Sequence, residues 1–186
     1  MTPKVFITGR SGVGKTTLVK AMIERLGAAG DDASPLHGFY TAELLEGNKR
    51  AGFTLNILGA KEPLDRKPKI FAHVNFSGAY RVGKYGVDLQ IFEECALPVI
   101  EDAAAAAAPI IIDEIGKMEL LSIRFKRRVL KALDSASPLL ATVMSKPHPF
   151  IDELRQRPEI TWINLTDLNR AEVADELVEL FSSGVH

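Results

Sequence analysis

An α/β three-layer sandwich on a mostly parallel central sheet is the fold that this 186-residue chain predicts. Three stretches carry the expectation. Val5-Phe6-Ile7 leads into Gly9-Arg10-Ser11-Gly12-Val13-Gly14-Lys15-Thr16, and the residues from Leu18 to Met22 then favour a helix. Pro109-Ile110-Ile111-Ile112 reads as a strand buried on both faces, and it ends at Asp113-Glu114. Leu139 to Val143 reads as a third strand, expected parallel to the other two.

In chain order, the Gly9 to Thr16 stretch matches G-x-x-x-x-G-K-[ST], with Thr17 following, in the strand-before, helix-after setting of a P-loop. Gly9, Gly12 and Gly14 let the backbone turn back with its N–H groups facing inward. Those donors and the positive end of the next helix make a phosphate site, in which Arg10, Ser11 and Val13 also contribute backbone. Lys15 reaches the outer phosphates, and the Thr16 hydroxyl is placed to hold a Mg2+ that bridges them.

The helix runs from Lys15 to about Ala28, with Leu18, Met22 and Leu26 on one face and Gly27 and Gly30 closing it. Asp31 to Pro35 is a polar turn. Leu36 to Leu45 and Ala51 to Leu58 have strand character, and Glu46-Gly47-Asn48-Lys49 between them has turn chemistry, so an inserted β-hairpin is expected. Lys61 to Lys69 is an exposed loop, Ile70 to Phe76 a possible strand, and Ser77 to Gly86 a long irregular stretch whose glycines suit mobility. Asp88 caps a short helical turn through Phe92, and Pro98 suits the first turn of a helix through the alanines at 103 to 108. A helix from Ser122 to Leu133, a strand at Ile160 to Ile163 and a closing helix from Asn169 to Phe181 complete the chain. No repeat or linker interrupts it, so residues 1–186 form one domain.

Composition sets the bounds. With 46% apolar and 25% charged residues and a formal net charge of -1, the chain is globular and has no basic excess that argues for nucleic acid as partner. Cys95 is the single cysteine, which excludes an internal disulfide and a cysteine metal site and suits a reducing cytoplasm. Nothing reads as a signal region or a membrane span, and a monomer is expected.

The second chemical element is Asp113-Glu114. A buried strand ending in a carboxylate matches the arrangement in which an Asp completes the Mg2+ shell. Glu114 then extends toward the terminal phosphate, where it can orient water for in-line attack and accept its proton, which implies hydrolysis. The competing reading is that the pair caps the next segment. An adjacent Glu in the water-activating role is typical of P-loop proteins that insert one strand between the phosphate-loop and Asp strands. Leu139 to Val143 should therefore lie between them.

The chain resembles the small P-loop nucleoside triphosphatases first described from hyperthermophiles, which are related to a human cancer-associated nucleoside triphosphatase. The likeness rests on Thr8 to Leu18, Gly38-Phe39-Tyr40-Thr41, Arg50-Ala51-Gly52-Phe53 and Val82 to Val87. Asp113-Glu114-Ile115-Gly116-Lys117-Met118-Glu119-Leu120 and Asn169-Arg170 complete it. It implies a compact domain that binds ATP or GTP with Mg2+ and slowly hydrolyses several nucleoside triphosphates, including CTP and UTP, with little base selectivity. Ser11 departs from the Pro that members often carry.

Other residues have competing readings. Lys117 either neutralises phosphate charge in the transition state or pairs with the neighbouring acids. Arg50, Arg81 and Lys84 are either γ-phosphate cations or surface charge. Arg124, Arg127, Arg128 and Lys131 share a helical face, read as solvated. His148 is assigned to a turn, His37 and His73 lack partners at metal-ligand spacing, and Trp162 belongs to the core. Asn169 and Arg170 either contact the nucleoside or, for Asn169, cap a helix. A kinase with a second-substrate pocket, or a nucleotide-dependent switch, needs the same loop and stands as the alternative to a triphosphatase.

Overall fold

The computed structural model describes residues 2–27, 36–59 and 67–183. The expected turn at Asp31 to Pro35, Gly30 and most of the loop from Lys61 to Lys69 lie outside these residues. One nine-stranded sheet organises the described residues. Its strands in chain order are β1 (Lys4–Thr8), β2 (His37–Glu46), β3 (Lys49–Leu58), β4 (Lys69–His73), β5 (Arg81–Val82), β6 (Tyr85–Val87), β7 (Ile110–Ile115), β8 (Leu139–Val143) and β9 (Thr161–Asn164). Across the sheet they run β5-β6-β4-β3-β2-β7-β8-β1-β9.

From β2 to β9 every pairing is parallel, and β8 lies between β1 and β7, as the sequence predicts. The β2–β3 hairpin is also present. It extends the sheet, because β2 pairs parallel with β7 on one side while β3, β4, β6 and β5 add antiparallel strands on the other.

Helices α1 (Lys15–Gly27), α2 (Leu89–Ala106), α3 (Ile123–Asp134), α4 (Pro149–Arg155) and α5 (Arg170–Ser183) complete the layers. Side chains on a strand alternate between faces, so Ile110 and Ile112 face the α2 and α3 side, where Phe39, Phe92 and Phe125 form an edge-packed aromatic cluster. Ile111 faces the other way and joins Leu18, Met22, Val173 and Leu177 of α1 and α5. The same alternation turns Asp113 and Thr142 toward α1.

Several segments differ from the sequence reading. Tyr85-Gly86-Val87 pairs with Ala72 and His73, so much of the expected irregular stretch is a small hairpin. Asp88 caps α2 as read, its side chain accepting from the Ile91 N–H, but the helix runs unbroken past Pro98. Pro98 is on the exposed side of α2, where water can take up the carbonyl whose helical donor the ring removes. His148 does more than turn the chain: its ring accepts from the Phe150 N–H at 3.1 Å and starts α4, with Pro149 at the first position.

Lys4 is buried at 5% exposure, and its ammonium donates to the carbonyls of Ala132, Ser135 and Ser137 at 3.0, 2.9 and 2.6 Å. A cation is placed at the negative end of α3, where orphan carbonyls collect, and β1 is thereby pinned to that helix. Burial lowers the ammonium pKa, against Asp134 and Glu159, which raise it.

Candidate active site

The phosphate loop connects β1 to α1 and is moulded by close backbone contacts. Gly9 has φ +154°, and a Cβ there would sit 2.7 Å from the Leu165 carbonyl, so only glycine lets the turn press against the segment after β9. Gly14 has φ +95°, and a Cβ there would meet the Arg170 guanidinium at 2.5 Å. Arg170 thus lies directly against the loop. Asn169 is held back from it, because its amide donates to the Asn164 carbonyl at 3.0 Å and its oxygen accepts from the Thr166 N–H at 2.8 Å. Arg10 closes the same flank through an exposed ion pair with Asp167.

Lys15 curls over the loop and donates to the Gly9 carbonyl at 3.0 Å. Thr16, in the first turn of α1, donates to Asp113 Oδ2 at 2.8 Å. Asp113 Oδ1 accepts a second hydroxyl from Thr142 of β8. The inserted strand therefore supplies a partner as well as spacing. Thr142 is the polar exception in the buried Leu139 to Val143 run, a signal the sequence carried. Burial, the largest influence, raises the Asp113 pKa, against the two hydroxyls and Lys15, which lower it.

Hard oxygens from Thr16 and Asp113 that meet at 2.8 Å suit two neighbouring positions in a Mg2+ shell, which characteristically takes one or two protein oxygens and is completed by water and phosphate.

Glu114, one residue on, is half-buried and lines a cleft of about 740 Å3 that opens from the phosphate loop. Burial raises its pKa, Lys15 opposes the shift, and the Asp113 charge adds to it. Lys117 lines the same cleft without an ion pair to either acid. Of the other expected cations, Arg50 lines the cleft but is held by Glu43 and by the Tyr85 hydroxyl at 3.1 Å. Arg81 donates to the Phe76 and Lys84 carbonyls, and Lys84 to the Arg50 carbonyl, so both brace the β5–β6 hairpin. Arg124 and Arg128 pair with Glu93 and Glu101 of α2. Trp162 is partly buried and packs edge-on against the core residue Phe6, with the Arg155 guanidinium over its ring.

Glu119 is a further acid of the cleft, one that no motif in the sequence marks as a site residue. It begins the 3-10 turn Glu119–Leu121, is 4% exposed and lines the cleft near Glu114. Burial, with Glu114 and Asp113 adding to it, pushes its pKa up to about 8. The folded value lies above the unfolded one, so its contribution to stability is full below about pH 4.5 and is lost as pH rises toward 8. Glu119→Gln, which keeps a neutral side chain of the same shape, should therefore stabilise the protein at pH 8 but not at pH 4.5. The difference should be a few kcal/mol, at about 1.4 per pKa unit. Urea unfolding at both pH values measures it, and an equal effect at both would show that Glu119 is ionised in the fold.

A sheet whose β2, β7, β8, β1 and β9 run parallel, with this loop, a strand-end Asp facing Thr16 and a Glu beside it, defines a P-loop nucleoside-triphosphatase. The chain belongs to the NTPase family, whose model matches residues 4–178. It is 39% identical over 177 residues to the nucleoside-triphosphatase THEP1 of Thermotoga maritima, covering 95% of this chain and 94% of that relative. The crystal structure of THEP1 from Aquifex aeolicus superposes with a TM-score of 0.80 at 38% identity, covering 96% of this chain and 98% of that one. The solution structure of a human cancer-related nucleoside triphosphatase does so at 0.79 and 34% identity, covering 97% and 98%.

Proposed function

We propose that this protein hydrolyses nucleoside 5'-triphosphates to the diphosphate and phosphate with Mg2+, accepting ATP, GTP, CTP and UTP alike. One observation carries the reading: the phosphate loop and Glu114, whose carboxyl has no hydrogen-bond or ion-pair partner among the described residues, line one cleft, and Asp113 lies buried behind Thr16 of that lining at 2.8 Å. The backbone from Gly9 to Thr17 binds the phosphates, and Lys15 leaves its carbonyl contact to reach their outer oxygens. Thr16 and Asp113 would hold Mg2+, which would supply positive charge against the phosphates. Glu114 orients a water for in-line attack and takes its proton. Lys117 faces the same space and offers the γ-phosphate a cation. Arg170 contacts the nucleotide from the Gly14 side, and Asn169 fixes the segment that presents it.

Affinity then goes mostly to phosphates that every nucleotide shares. Rates of phosphate release from ATP, GTP, CTP and UTP, with water as the acceptor, should differ by less than roughly 100-fold, or about 2.7 kcal/mol. A larger preference would mean a dedicated base pocket. Absence of release from all four would overturn the hydrolase reading itself.

A further inference from the structure

The cleft extends beyond the phosphate loop. Its volume of about 740 Å3, which includes the space over the loop that the phosphates would fill, is within the roughly 300–1,000 Å3 range of small-molecule sites. Its direction matters more. It begins at Ser11, Gly12 and Gly14 to Thr17 and continues along residues of β2, β3, β4 and β5 to the turns after β7 and β8, and no residue of the segment from 164 to 170 lines it. Arg170 lies against Gly14 and does not itself line the cleft. A nucleotide lying on the Arg170 flank leaves the chamber ahead of its γ-phosphate open.

The walls of that chamber specify a ligand chemistry. Lys117 and Lys146 present ammonium groups that make no ion pair with the described residues, while the Arg50 charge is already matched by Glu43. Phe53 and Val82 supply an apolar wall, and the buried Glu119 carboxyl supplies a polar group beside Glu114. An anionic end fits the lysines, an apolar body fits Phe53 and Val82, and a hydroxyl fits Glu114.

We propose that this chamber is a second-substrate site, in which a small anionic alcohol with an apolar body takes the γ-phosphoryl group in place of water. The inference rests on the triphosphatase reading for the nucleotide half of the site. The hydroxyl oxygen bonds to the γ-phosphorus as the bond from that phosphorus to the β–γ bridging oxygen breaks. The hydroxyl proton passes to the Glu114 carboxylate, and the nucleoside diphosphate leaves.

The test uses the full chain with ATP and Mg2+ and two soluble probes, 4-(hydroxymethyl)benzoate and its uncharged counterpart 1,4-benzenedimethanol, with products followed by 31P NMR. The charged probe should divert γ-phosphate into a benzylic phosphate ester, with free phosphate falling to match, and the uncharged probe should yield at least tenfold less ester. Lys146→Ala should weaken the apparent affinity for the charged probe by about tenfold and leave that for the uncharged one in place. ATP hydrolysis that continues without ester from either probe would overturn the proposal and leave the triphosphatase reading standing. Equal ester from both probes would also overturn it, because the lysines would then select nothing. Loss of hydrolysis in the absence of any probe would instead count against the triphosphatase.

Discussion

Glu114→Gln should lower kcat for ATP hydrolysis by roughly 100- to 10,000-fold while KM changes little, the range expected when only a general base is removed. The substitution keeps the side chain's shape and takes away its basicity, and among the described residues Glu114 makes no ion pair or hydrogen bond whose loss would disturb the loop. Burial holds the carboxyl above the ordinary glutamate range, so the acid limb of the parent's pH–rate profile should lie above that range too, and the variant should lack it. Asp113→Asn should behave differently. It removes charge from the oxygen pair with Thr16, so raising Mg2+ should restore part of its activity and none of that lost with Glu114. Hydrolysis at the parent rate by Glu114→Gln would move the base elsewhere and bring the kinase and switch readings forward.

Lys15→Ala should weaken triphosphate binding and cut hydrolysis by about 1,000-fold or more, because a full charge aimed at the transferring group is lost. Stability should barely move. Among the described residues the ammonium donates to the Gly9 and Arg10 carbonyls, at 3.0 and 3.5 Å, and each partly solvated contact of this kind is worth about 1 kcal/mol or less. Circular dichroism with titration of a fluorescent nucleotide separates the two effects. A folded variant with normal turnover would remove the phosphate-loop assignment.

What the sequence revealed was written locally. The phosphate loop is contiguous, Asp113 ends an apolar run, and the Glu beside it places β8 before any coordinate is known. Elements set by distant packing were harder to read. Tyr85-Gly86-Val87 is too short for a periodic signal and becomes a strand because β4 offers it an edge. Pro98 reads as a helix start, yet packing of Phe92, Leu97 and Ile100 carries α2 through it. The chamber was equally hidden. Phe53, Val82, Lys117 and Lys146 come from four separate segments and meet only once the sheet has formed.

The placement of β1 also bears on how the chain is made. Its hydrogen-bonded neighbours are β8 and β9, so Val5 and Phe6 wait for Leu140, Ala141, Thr161 and Trp162. At roughly 5–20 residues per second a ribosome needs on the order of ten seconds to supply them. Throughout that interval the nascent chain carries an apolar strand with no partner, and its phosphate loop has no sheet to stand on. The hairpin and its antiparallel companions are available far earlier, so vectorial synthesis builds the chamber's wall first and the nucleotide cradle last. An arrest at β7 would leave a chain that has Asp113 but no means of holding it against Thr16.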